Sequence, residues 1–78
     1  MNQEELARIL RHTYEEAKRN EAAMQVHLFG IDYGQEIKKR GYKIVDIVRM
    51  AGLDKGYVAE VSKGVKLSAV VERKENHE

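Results

Sequence analysis

The stretch YKIVDIVRMAGLDKGYVAEVSKG, residues 42–64, decides the fold. Ile44, Ile47, Val48 and Ala51 recur at spacings of three and four, which lines one face of a two-turn helix. Gly52 ends that helix, because a residue without a Cβ adopts the positive φ of a helix C-terminus at little cost. Leu53 follows as an apolar plug. Asp54 offers a side-chain oxygen to cap a second helix. Val58 and Val61 mark the buried face of that helix, and Gly64 is expected to end it. The pattern is helix, short glycine turn, helix, with apolar side chains at the crossing.

Upstream, Asn2 and Glu5 have the spacing of a capping box. Leu6, Ile9, Leu10, Thr13, Tyr14 and Ala17 continue as one apolar stripe and predict a helix over 3–18. Glu4–Arg8, Arg11–Glu15 and Glu15–Arg19 are i,i+4 pairs on its wet side. Asn20-Glu21 then punctuates the chain. A second helix is expected over 21–39, apolar on most faces through Met24, Val26, Leu28, Phe29 and Ile31, and so buried at the centre. The competing reading makes Val26–Phe29 a short strand. Gly30 and Gly34 each cost about 1 kcal/mol relative to Ala inside a helix, and close approach of a neighbouring helix is the reason to expect. Lys38, Lys39 and Arg40 suit the negative end of the helix, and Gly41 stops it.

Downstream, Val65, Leu67, Ala69 and Val71 alternate with Lys66 and Ser68. Period two and β-branching favour a strand or extended packing segment over 65–72, although Leu67, Val70 and Val71 would also share a helical turn. Residues 73–78 read as a frayed tail. The expectation is one all-α domain spanning 1–78, with helices near 3–18, 21–39, 44–51 and 55–63 and a short extended C-terminal segment.

Composition narrows the function classes. The chain has 78 residues, 42% of them hydrophobic, enough for one thin core. It has no cysteine, which excludes disulfides, cysteine-based zinc fingers and thiol chemistry. No apolar run is long enough to span a membrane. The opening MNQEELARIL is acidic and polar where a signal peptide would be basic and then apolar, so a cytoplasmic protein is expected. Charge is unevenly distributed: residues 1–36 hold four Lys/Arg against seven Asp/Glu, and residues 38–74 hold ten against four. That asymmetry points the C-terminal half toward a polyanion.

Residues 44–64 resemble the helix-turn-helix of bacterial and phage DNA-binding proteins. Ile47 stands for the aliphatic residue of the first helix. Ala51-Gly52-Leu53 stands for the small residue, turn glycine and plug. Val58 and Val61 stand for the aliphatics that seat the recognition helix, with Gly64 closing it. More loosely, HLFGIDYGQEI, residues 27–37, and its place before the motif resemble small bacterial helix-turn-helix-like domains of no established activity. The resemblance implies DNA binding and transcriptional regulation, with the second helix of the motif in the major groove. Lys55 and Lys63 would reach guanine edges or phosphates, Tyr57 a phosphate or a thymine methyl, and Glu60 the N4 amine of cytosine. Lys43, Arg49 and Lys66 would clamp phosphates from the flanks. The exposed positions of the recognition helix are expected to be Lys55, Gly56, Tyr57, Ala59, Glu60 and Lys63. A homodimer would set two such helices about 34 Å apart. The alternative is a protein-interaction module that keeps the shape without reading DNA.

Other chemistry is poorly supported. His12, His27 and His77 share no metal-ligand spacing, and His27 is expected at the edge of the core with a backbone partner. Asp32 and Glu36 are an i,i+4 acid pair with no sign of the cleft that acid–base catalysis needs. The glycines are isolated, so there is no phosphate loop. Ser62 and Ser68 lack a His and acid in a recognisable arrangement. No enzyme, cofactor, metal, membrane surface or small-molecule ligand is expected.

Overall fold

The structure is a computed structural model and describes residues 1–74. Four helices follow one another: α1 (Gln3–Glu16), α2 (Ala22–Arg40), α3 (Ile44–Met50) and α4 (Tyr57–Leu67). Among the described residues there is no strand. The expected capping box forms, with the Glu5 N–H donating to the Asn2 side chain at 2.7 Å and the Asn2 N–H to Glu5 at 2.8 Å. Asn20 makes the bend before α2 with φ at 69°, a left-handed conformation that Asn tolerates better than most residues. Gly41 (φ 71°) ends α2, and the Tyr42 N–H reaches back to the Ile37 carbonyl at 3.1 Å.

Leu6, Leu10, Val26, Ile37, Ile47, Val48 and Val61 are buried together with Phe29, Ala51, Leu53 and Val65 in one core shared by all four helices. α2 is the central element, and α4 packs far more extensively on it than on α3. α2 and α4 run side by side in the same direction. His27 lies opposite Glu60, Gly30 opposite Val61 and Gly64, and Gly34 opposite Val65 and Ser68. The expected reason for Gly30 and Gly34 therefore holds: a Cβ at Gly30 would lie 2.5 Å from the Val61 carbonyl oxygen, and one at Gly34 would lie 2.9 Å from the Val65 Cα.

Two readings of the C-terminal part are corrected. Gly64 does not end a helix; it is buried inside α4, which continues to Leu67. The strand expected over 65–72 does not form: Val65 and Leu67 are helical, and residues 68–70 make a turn. The physical reason is the period of burial. Val61, Gly64, Val65 and Ser68 face the core and α2 at spacings of three and four, while Leu67, Val70 and Val71 stay exposed. Ser68 then holds the end, with its hydroxyl donating to the Val65 carbonyl and accepting from Gln35 at 2.9 Å. Beyond it Arg73 pairs with Asp32, so this part of the expected frayed tail is tied to α2. Residues 75–78 of that tail lie outside the described residues.

Candidate nucleic-acid interface

The turn between α3 and α4 is built from its backbone outward. Gly52 has φ of 76°. Its N–H donates to the Arg49 carbonyl at 2.9 Å, and the Leu53 N–H donates to the Val48 carbonyl at 3.2 Å. These two bonds satisfy the last carbonyls of α3 in a Schellman motif, and Leu53 drops into the core as the plug. Asp54 accepts the Gly56 N–H at 2.8 Å through its side chain, and its carbonyl accepts the Tyr57 N–H at 3.0 Å. Asp54 therefore caps a lead-in turn, and α4 proper starts at Tyr57, two residues later than expected.

A contact from α1 completes the turn. The Arg11 Nη1 donates to the Ala51 carbonyl at 3.2 Å and to the Gly52 carbonyl at 3.4 Å, while its Nε donates to Glu15 at 2.8 Å. The expectation of a purely local Arg11–Glu15 pair is corrected: Arg11 joins the first helix to the turn of the motif. The only signal for this in the chain is its place beside buried Leu10, at the edge of the apolar stripe. The Arg8–Glu4 and Arg19–Glu15 pairs are not among the ion pairs of the described residues.

Lys55, Ala59, Lys63 and Lys66 are exposed, and the last three lie on the outer side of α4. Two residues expected there are turned inward. Tyr57 is half-buried, its ring set edge-on to Tyr14 with centroids 5.5 Å apart. Burial, and then the neighbouring Tyr14 hydroxyl, push its phenol above the ordinary value. Glu60 is half-buried, with Oε1 3.5 Å from His27 Nδ1 and Oε2 3.6 Å from Lys63 Nζ. His27 thus faces a carboxylate on α4, where a backbone partner was expected. Because α4 lies close against α2 at Gly30–Gly64, the edge of α4 that carries Glu60 looks toward α2.

Lys43 is exposed at the extended N-cap of α3, at the far end of that helix from the turn. Arg49 is exposed near the turn, held by Asp46 at 2.8 Å. The structure so brings Lys55, Lys63 and Lys66 to α4 and its head, and leaves Lys43 and Arg49 on α3. Asp32 and Glu36 have structural partners: Asp32 takes Arg73, and Glu36 takes the Met1 ammonium and the Arg40 Nε, each at 2.9 Å. The ammonium hydrogen bond first, and the Arg40 hydrogen bond second, hold the Glu36 carboxyl below its ordinary value of 4.5. No group of His, Asp and Glu among the described residues could hold a metal ion, and none of their helices is long and apolar enough to cross a membrane.

A family model described as an HTH-like domain matches residues 2–74. No curated protein and no solved structure matches the chain.

Proposed function

This chain belongs to the HTH-like domain family, and from that premise we propose that it binds double-stranded DNA with α4 in the major groove. The observation that carries the reading is the charge of α4's outer side. Lys63 and Lys66 are exposed there with Lys55 at the head, while Glu60, the one acid of the helix, is half-buried between His27 and Lys63. A groove lined by phosphates attracts such a face, and release of the DNA's counterions supplies much of the affinity. Lys43 and Arg49 extend the cationic surface along α3. Arg, Asn and Gln, the usual readers of base edges, are absent from α4. Binding therefore rests more on phosphates than on sequence. We read the protein as a cytoplasmic regulator of transcription without enzymatic activity, which acts by occupying DNA.

The test is fluorescence anisotropy with labelled mixed-sequence duplex. Binding is expected at ~50 mM salt and should fall steeply as salt rises. Absence of binding at ~100 μM protein, a level that reaches ordinary non-specific affinity, overturns the reading in favour of a protein-interaction module.

A further inference from the structure

The side of α2 turned away from the core carries an ordered sequence of residue types. At 100° per residue, Met24, Leu28, Ile31, Gln35, Lys38 and Lys39 fall within an arc of about 100°, and Glu21 is the N-cap just ahead of them. Met24 is 50% exposed, and Leu28 and Ile31 are only partly covered. Leu67 and Val71, 40% and 46% exposed, add apolar surface at the end of the adjacent α4. The stripe is thus acidic at its start, apolar through its middle and basic at its end. The helix dipole accounts for the placement of the charges, but it gives no reason for exposed Met24 and partly covered Leu28 and Ile31 between them. Among the described residues, Glu21, Lys38 and Lys39 take part in no ion pair.

We propose that this stripe is the interface of a symmetric homodimer in which two copies of α2 pack antiparallel. A two-fold axis between positions 29 and 30 sets Leu28 against Ile31 of the other copy, Met24 against Gln35, and Glu21 against Lys38. Every charged end then meets its opposite. Parallel packing would set like charges together, and a polyanion would be repelled by Glu21 and Asp32. The surface is complementary to itself, as an isologous contact requires. Since α4 lies along α2, the dimer carries one α4 on each flank. The inference concerns association of the protein alone and stands whether or not DNA binds.

Sedimentation equilibrium of the full chain tests it, with K38E/K39E, E21K and the combined E21K/K38E/K39E variant, each checked for helicity by circular dichroism. The wild type should dimerise, and each reversal alone should weaken dimerisation at least about tenfold. The combined variant should recover most of the loss, which a merely destabilised fold would not do. A wild type monomeric up to about 1 mM overturns the proposal. So does a dimer indifferent to these reversals and to Met24→Lys. Should a variant fail to fold, methyl NMR of the wild type on dilution decides. Shifts centred on Met24, Leu28 and Ile31 support the interface, and shifts centred elsewhere refute it.

Discussion

Gly30 of α2 and Gly64 of α4 meet backbone to backbone: a Cβ added to Gly64 would stand 2.8 Å from the Gly30 Cα, and one added to Gly30 would stand 2.9 Å from the Gly64 Cα. Neither neighbour is a flexible side chain that could swing aside. Gly30→Ala and Gly64→Ala should each destabilise the fold by about 1–3 kcal/mol, the usual range for overpacking. This should happen even though Ala favours a helix by about 1 kcal/mol over Gly. Urea denaturation measures it. A raised midpoint in either variant would mean that the two helices are not in backbone contact.

Gly52 stands at φ 76°, with the Arg11 Nη1 3.0 Å from where its Cβ would be. Gly52→Val should therefore cost on the order of 1–3 kcal/mol, as a β-branched residue in a left-handed conformation is strained. Gly52→Asn should cost less, because Asn enters that region readily. Thermal melts with equal midpoints for the two variants would contradict the assignment of strain to this turn.

Arg11 is best tested by Arg11→Met, which keeps the aliphatic stem and removes the donors. The lost bonds to the Ala51 and Gly52 carbonyls should lower stability by about 1 kcal/mol. Faster amide exchange should follow at Gly52 and Leu53, whose N–H groups close the turn. Unchanged exchange there would show that the guanidinium does not hold the turn.

Placement of charge is tested by two double variants that each lose two positive charges. Neutralising Lys55 and Lys63 should weaken DNA binding and flatten the salt dependence by roughly one unit per lost phosphate contact. Neutralising Arg8 and Arg19, exposed and outside the motif, should do neither. Arg11 is unsuitable as a control because it touches the turn. Equal losses from both pairs would show attraction without placement, and α4 would not be the reading helix.

Glu36 gives a pH dependence of known sign. Its folded-state pKa is lowered, so its contribution is present above the ordinary value of 4.5 and is lost as pH falls through the folded value. Glu36→Gln should therefore lower stability above the ordinary value of 4.5, where the contribution is present, and flatten the loss of stability on the acid side of it. Carboxyl NMR should place the Glu36 midpoint below that of a free glutamate. A midpoint at or above the ordinary value would remove the role assigned to the Met1 ammonium.

What the chain made legible was local. The Asn2–Glu5 box, the Gly41 stop and the left-handed Gly52 each depend on residues within one turn, and each formed. The motif residues Ile47, Ala51, Leu53 and Val61 were legible because apolar spacing alone identifies a buried face. Gly64 was misread because its role depends on Gly30, and nothing near position 64 announces a partner so far upstream. Once Gly64 is taken as a stop, Val65, Leu67, Ala69 and Val71 look alternating; counted as a packing residue, it continues the helical period. Arg11 and Glu60 were missed in the same way, since their partners, the 51–52 carbonyls and His27, lie on other helices.

The seating of α4 on α2 also bears on how the chain acquires its structure. The two halves of the motif share only a modest contact, and the groove for α4 is supplied mainly by residues 26–37. A peptide spanning 42–74 should therefore be largely unstructured, because isolated helices of this length are marginal in water. During synthesis α1 and α2 emerge first and expose the Gly30–Gly34 groove until residues 61–68 leave the ribosome to fill it. The contact between the second and last helices closes the loop over residues 41–56, a non-local step of the kind that slows folding. The unit that can be transplanted or shuffled is for that reason the four-helix body, and the two-helix motif alone is not.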